Sequence, residues 1–444
     1  MSSLIDEIDW DEGGETSHYI PATSENKPPY DEIDISSAEF WRQDFAEQDR
    51  LFRILREQRP VSWQRPMEEA VIPDPDDPGY WALTRVAEIS EVSRNPEMYI
   101  SGQGVLFDML PQIFLTMTQS FLAMDNPMHG KLRKLVSTAF TPKQVRRMED
   151  KISQTAKACV DEIAHKGKID FVTELSTHIP LITFCEIMGV PRDKWELTGR
   201  AAADIVAWAD PEVLGDRKAD EVQVEAASIL HEIAAEMYEE RLKNPTDDLF
   251  TGLVQAEVDG EKLDEAQLGA FFVLMSVAAT DTTKHTSSFA VLGMTEFPEQ
   301  RQWLMEDYDN RIGTAVEEMI RYGAVVETFR RTAIVETELG GQRIMPGDKV
   351  VMFYSSGNRD AEVFTNPDYM DLSRDPNPHV GFGGGGVHFC LGSNLAKSML
   401  RALFKEILTR IPDFKASNPT FLGTNFMRAI THLDFEFTPE VRRA

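Results

Sequence analysis

The sequence predicts a mainly α-helical chain with a small β region, on three observations. Residues 264–297 form one uninterrupted helical run, opened by Asp264-Glu-Ala-Gln267 and stopped by Pro298. The opening has the pattern of a capping box, and a helix of that length spans roughly 50 Å at about 1.5 Å per residue. From Met148 to about Asp247, long amphipathic runs of helical period follow one another. Against these stand a few short strand-like segments, Pro60–Trp63, Tyr80–Thr84 and Lys349–Tyr354.

Bulk composition excludes several classes of function. The chain has 444 residues and a formal net charge of −29. Phosphate backbones are bound by basic surfaces, so no nucleic-acid partner is expected. Three cysteines, Cys159, Cys185 and Cys390, lie far apart and make neither a disulfide framework nor a zinc pattern. That usage suits a reducing compartment, and a cytoplasmic location is expected. The first residues are acidic and carry neither a basic leader nor a long apolar run, so no membrane anchor is expected.

In chain order, residues 1–34 hold ten acids and one lysine, and read as an acidic lead-in, partly disordered or draped on the surface. Residues 35–444 read as one domain. Ser37–Arg59 has helical spacing, with Phe40, Trp41, Phe45, Leu51, Phe52 and Leu55 as expected core. A helical segment around Val86–Arg94 follows the first two strands. Ser101–Ser120 is apolar and irregular, consistent with a core-facing loop. Ile205, Val206, Trp208 and Leu214 read as core. Gly340-Gly341 marks a hairpin turn. Leu433–Thr438 alternates like a terminal strand, and no internal repeat is found.

The richest stretch is Gly381-Phe-Gly-Gly-Gly-Gly-Val-His-Phe-Cys-Leu-Gly392, followed by an apolar segment from Leu391 to Ile411 that Pro412 stops. Glycine permits close backbone approach and tight turning. Amide groups of such a loop, and the positive end of a helix starting just after Cys390, would stabilise a thiolate. Such a thiolate is a metal ligand. Taken alone, the stretch equally describes a flexible turn beside a small buried cysteine. A nucleotide-binding loop fits less well, because the acidic partner and βαβ setting are missing.

This stretch resembles the heme-binding loop of the cytochrome P-450 family, the heme-thiolate monooxygenases. Phe382, Gly386, His388, Cys390 and Gly392 match the pattern. Phe382 stands eight residues before the cysteine, one more than in most of the family, a spacing found in a bacterial subgroup acting on sterols and methyl-branched lipids. The resemblance extends over some 310 residues, from His129 to about Thr438, with further motifs in the family's order. His129 and Arg133 share a helix face and, with Arg331 and His388, match positions that hold the heme propionates. Ala278-Ala-Thr-Asp-Thr-Thr283 resembles the oxygen-binding motif, with Ala279 where Gly is usual. By that match Asp281 and Thr282 relay protons, and the clustered threonines suit a local opening of the helix that holds water. Glu318-Met-Ile-Arg321 and Arg374 match a buried structural triad, with Met370 replacing the usual Phe.

The resemblance implies the cytochrome P-450 fold, with heme b between the central helix and the helix following the cysteine loop, and Cys390 as axial ligand of the iron. It puts Ser101–Ser120 and the segment around Trp208 over the pocket. It implies insertion of one oxygen atom from O2 into a C–H bond of an apolar substrate, a sterol side chain, branched fatty lipid or terpenoid. No further cysteine cluster is present, so electrons would come from a separate ferredoxin and its reductase. Basic residues Lys131, Lys134, Lys143, Arg146 and Arg147, with Lys397, Arg401, Lys405 and Arg410, form either a docking patch for that acidic donor or scattered solubilising charge. Two alternatives differ in class: a heme-thiolate sensor or carrier without turnover, and an oxidase of an aromatic or secondary-metabolite substrate. A peroxide-driven enzyme of the same fold is disfavoured, since no carboxylate replaces the threonine region.

Overall fold

The computed structural model describes residues 20–440, apart from 24, 26, 69, 71–73, 108–119, 138–139, 141, 207–213 and 259. The first half of the acidic lead-in, most of the Ser101–Ser120 segment and Trp208 therefore lie outside the described residues, as do the side chains of Lys143 and Arg147.

The central helix, Glu265–Glu296, organises the rest. Asp264 accepts from the Gln267 amide at 2.8 Å and Gln267 accepts from the Asp264 amide at 3.1 Å, closing the capping box. Apolar residues occupy every face of its first half, the pattern of a helix surrounded by protein. Leu268, Phe271, Phe272, Ala290, Val291 and Met294 are all buried. It packs against helices His178–Met188, Trp195–Val206, Ala219–Lys243, Tyr308–Gly323 and Ser393–Arg410. Pro298 does more than stop it. It opens the next helix, Pro298–Glu306, from the first-turn position where a missing N–H costs nothing.

The β region is a five-stranded sheet in the order Val61–Gln64, Tyr80–Leu83, Lys349–Phe353, Thr328–Ala333, Tyr99–Ile100. Tyr80–Leu83 runs parallel to Lys349–Phe353, with Trp81 opposite Val350, and is buried along its whole length. That explains its unbroken apolar sequence. The last pairing sets Ile100 beside Thr332. Ser101 is thereby brought to the end of the sheet that carries Arg331. A second sheet joins Lys415–Gly423, Arg428–Glu436 and Lys168–Asp170. The Gly340-Gly341 turn links Thr337–Leu339 to Gln342–Ile344, and both glycines have positive φ, 55° and 76°, as a tight hairpin requires.

Several local readings shift. Ser37–Arg59 is two helices, Ala38–Arg42 and Phe45–Gln58, because Asp44 caps the second through the Glu47 amide at 2.8 Å. Among the described residues from Met148 to Asp247 the helices are interrupted by short turns and by strand Lys168–Asp170, which is recruited by the distant C-terminal hairpin. Within the acidic lead-in, a side chain reaches into the protein. Lys27 is buried against Asp348, and its ammonium sits 5.1 Å from the Trp63 ring. No helix among the described residues is long and apolar enough to cross a membrane.

Candidate active site

The cysteine loop is built against two helices. The Cys390 amide donates to the Phe382 carbonyl at 3.0 Å, which closes the loop on itself. A Cβ on Gly386 would stand 2.1 Å from the Ser93 carbonyl, and one on Gly384 2.7 Å from that of Ile89. These two glycines let the loop lie flat on helix Val86–Arg94, so protein packing accounts for them. Helix Ser393–Arg410 starts three residues after the cysteine. Burial pushes the Cys390 thiol up. The amides of Gly392 and Ser393 and the charges of Arg133 and Lys397 oppose that. These groups favour the anion but do not overcome burial, which leaves the thiol above its ordinary range.

Around it the structure gathers four side chains predicted from three separate motifs. The His129 and His388 rings are 4.1 Å apart, centroid to centroid. His388 Nε2 lies 3.1 Å from Ser101 Oγ. Arg133 donates to the Phe389 carbonyl, immediately before Cys390. Arg331 is 5 % exposed and donates to the Arg330 carbonyl at 2.7 Å, with no carboxylate in ion-pairing reach among the described residues. Burial, then Arg133 and Arg331, lowers the His129 pKa to about 4, and burial, then Arg331, His129 and Arg133, lowers that of His388 to about 2. His129 Nε2 is buried without a partner. Asp125, nearby, is occupied by the amides of Ser101 and Gly102 at 2.8 and 2.7 Å.

This is a donor set with an excess of positive charge and an orphaned buried nitrogen, beside a thiol in a field that favours its anion. Two carboxylates and a thiolate-binding metal would satisfy it. A heme with two propionates has that chemistry, so the residues present fit the group.

The central helix supplies the other side. Ala278 is exposed and Thr282 half-buried, although the helix around them is enclosed. Being four apart, they share one face, the cavity face, which is left uncovered by the surrounding protein. The Thr282 hydroxyl donates to the Ala278 carbonyl at 2.9 Å, and Thr280 does the same to Ser276 at 2.7 Å. The expected local opening is not seen, because the hydroxyls back-bond within an unbroken helix. Asp281 is 2 % exposed, pairs with Lys284 through one oxygen, and leaves Oδ2 buried without a partner. The two groups make separate bonds, Asp281 to Lys284 and Thr282 to Ala278.

Glu318, Arg321 and Arg374 come together away from the cavity. Arg321 donates Nε and Nη2 to Glu318 at 2.8 and 2.7 Å, and Arg374 Nε donates to it at 3.0 Å. Asn377 adds a bond at 2.9 Å, and Arg321 also holds the carbonyls of Asn358 and Pro367, both at 2.7 Å. Of the expected basic patch, Lys397, Lys405 and Arg410 are engaged in ion pairs with Glu317, Asp309 and Glu440. Sequence reasoning missed Ser101, Asp125, Glu317 and His379, which belong to no local motif and meet the site only through tertiary contacts.

The comparisons agree with this geometry. The family model for cytochrome P450 matches residues 214–411. A methyl-branched lipid omega-hydroxylase of Mycobacterium tuberculosis is 35% identical over 419 residues, covering 93% of this chain and 96% of that protein. A steroid C26-monooxygenase of Mycolicibacterium smegmatis is 36% identical over 371 residues, covering 82% of this chain and 84% of that one. Among solved structures, a Mycobacterium marinum cytochrome P450 in complex with pseudoionone is 51% identical with a TM-score of 0.91, covering 93% of this chain and all of that one. The chain belongs to the cytochrome P450 family. It is a cytochrome P450 monooxygenase, and membership implies a heme-thiolate iron, a redox partner and an apolar substrate.

Proposed function

We propose that this protein hydroxylates an apolar lipid of the sterol, methyl-branched or terpenoid kind, using heme b ligated by Cys390 and electrons from a separate ferredoxin and its reductase. The observation that carries the reading is the uncompensated cluster of His129, Arg133, Arg331 and His388 beside the Cys390 sulfur. The bound heme supplies activation of O2 for insertion of one oxygen atom into a C–H bond.

The chain's own residues have distinct parts. Arg331 and Arg133 hold one end of the group by charge, and His129 and His388 by neutral donation, which their lowered pKa values favour. Gly392 and Ser393 amides, with Arg133 and Lys397, favour the Cys390 anion against burial, and a bound iron would complete its ionisation. Ala278 leaves room on the cavity face. The Thr282 hydroxyl, parked on the Ala278 carbonyl, can turn to donate toward the cavity. The free Oδ2 of the Asp281 carboxylate can take up a proton from its Lys284 partner and pass it to water that reaches Thr282. Glu318, Arg321 and Arg374 keep the loop's supports in register without taking part in chemistry. Residues 35–444 act as one catalytic domain in the cytoplasm, preceded by the acidic lead-in of residues 1–34. The names of the two relatives support the lipid or steroid substrate class.

The test is an optical spectrum of the reduced protein with carbon monoxide, then titration of sterols, branched fatty acids, terpenes and pseudoionone against the ferric form. A strongly red-shifted Soret band, and a high-spin shift with one member of the panel, are expected. A band typical of histidine-ligated heme, or failure to bind heme, overturns the reading.

A further inference from the structure

Phe382 ties the cysteine loop to a charged chain of which the site described above uses only Lys397. Its carbonyl accepts the Cys390 amide at 3.0 Å, and its ring faces the Lys397 ammonium at 5.2 Å. Lys397 is on helix Ser393–Arg410, seven positions after the cysteine. Its ammonium is 2.6 Å from Glu317 Oε1, on helix Tyr308–Gly323. The other oxygen of Glu317 is 3.0 Å from His379 Nε2. The Gly381 amide donates to His379 Nδ1 at 3.2 Å, which assigns the remaining proton to Nε2 and makes it the donor to Glu317. The circuit thus returns to the residue before Phe382.

The order of charges along this circuit matters. Lys397 is the member of the pair that packs on Phe382 of the cysteine loop, with Glu317 as its partner from the neighbouring helix, and its charge favours the Cys390 anion. The Lys397 side chain is 21 % exposed, and both oxygens of its carboxylate partner are occupied, so the ammonium is held in one place. Partial burial lengthens the reach of a fixed charge, because water screens it less. Burial pushes the Glu317 carboxyl up, but the bonds from His379 and Lys397 outweigh this and leave it below its ordinary range. It is therefore a permanent anion at neutral pH.

We propose that the Lys397–Glu317 pair, oriented by His379, is a fixed electrostatic dial on the metal centre, with its positive pole toward the Cys390 thiolate. Lys397 and Glu317 are positioning residues in this scheme, acting through the sulfur. The positive pole withdraws electron density from the thiolate and stabilises the more negative, reduced state of the centre. Glu317 offsets part of that. The scheme gives Lys397 a role inside the molecule, in place of simple display to an electron donor. It rests on the reading of Cys390 as the axial thiolate.

The test is the heme reduction potential of the substrate-free holoenzyme in Lys397→Gln, Lys397→Arg and Glu317→Gln, each with its carbon monoxide spectrum. Opposite shifts are expected: the potential falls in Lys397→Gln and rises in Glu317→Gln, while Lys397→Arg stays near wild type. All three keep the red-shifted band. Loss of that band in the wild type defeats the thiolate reading itself. With the band present, an unchanged potential in Lys397→Gln, or shifts of the same sign in both Gln variants, defeats the dial. Should Lys397→Gln fail to retain heme, Glu317→Gln decides alone, since it leaves the cation in place, and no rise there defeats the proposal.

Discussion

His388 and His129 pack against each other with ring centroids 4.1 Å apart, though they are 259 positions apart in sequence. Both are held neutral by burial and by the arginines beside them. The contact joins the cysteine loop to helix Met128–Ser137, so one cation-rich wall is made from two distant segments. Its charge comes from Arg133 and Arg331.

That wall makes a prediction for heme retention. Charge-assisted hydrogen bonds contribute about 1.5–3 kcal/mol each, so Arg331→Met raises the rate of heme loss by roughly ten- to hundredfold. Transfer of heme to an excess of a scavenging apoprotein measures it. A rate equal to wild type removes Arg331 from the group holding the propionates. The two histidines contribute less, because they donate as neutral groups.

The ligand assignment is tested at the sulfur. Cys390→Ser is expected to lose the red-shifted carbon monoxide band, because a serine oxygen remains protonated where a thiol ionises. Persistence of that band in the variant means that the ligand lies elsewhere.

Proton delivery separates Asp281 from Thr282. The Thr282 hydroxyl contributes one back-bond to Ala278, which the helix does not need, so Thr282→Ala leaves thermal stability within about 0.5 kcal/mol. It should nevertheless divert electrons from product into peroxide or water. Asp281→Asn removes the acid and should slow turnover roughly 10²-fold or more. The ratio of product formed to electrons consumed checks both, and full coupling in Thr282→Ala excludes its hydroxyl from the relay.

The triad predicts stability rather than rate. Glu318 and Arg321 have side chains that are 0 % exposed, and Glu318 accepts from Arg321, Arg374, Asn377 and the Asp371 amide. Removing one member of such a buried pair costs roughly 3–5 kcal/mol, since the other is left charged and unpaired. Glu318→Gln should therefore lower the denaturant midpoint sharply and reduce the yield of heme-loaded protein. A shift typical of a surface substitution would mean that the network is dispensable.

The sequence exposes some of this and conceals the rest for a physical reason. Helical periodicity, capping at Asp264 and the turn at Gly340-Gly341 are local, and each is legible from neighbouring residues. So are the motifs around His129, Asp281, Glu318 and Cys390. Ser101 is not, because it joins His388 only when strand Tyr99–Ile100 pairs with Thr328–Ala333, over 200 residues later. The Lys397–Glu317–His379 chain is hidden in the same way. Lys397 reads as surface charge until two helices and the loop are packed together. The split of Ser37–Arg59 was within reach, since Asp44 three residues before Glu47 carries a helix-start signature.

One buried acid outside the site gives a pH dependence. Glu327 is 0 % exposed. Its Oε1 accepts from the Ser355 hydroxyl, while Oε2 is buried without a partner. Burial pushes its pKa up to about 7, against the opposing pull of Arg428 and the Ser355 bond, with Asp49 adding to the rise. In the unfolded chain the same carboxyl ionises near its ordinary value of 4.5. Below that value Glu327 is protonated in both states, and its contribution to stability is fully present. As pH rises toward 7 the unfolded state ionises first, so stability is lost, by on the order of 3 kcal/mol across the window. Glu327→Gln keeps a neutral side chain of the same shape and cannot follow that loss. Denaturant unfolding of both proteins between pH 4.5 and 8 should therefore give curves that converge at low pH and separate as pH rises, with the variant the more stable above pH 7. Parallel curves would mean that Glu327 ionises in the folded protein as readily as in the unfolded one, with Arg428 and Arg359 compensating its charge in full.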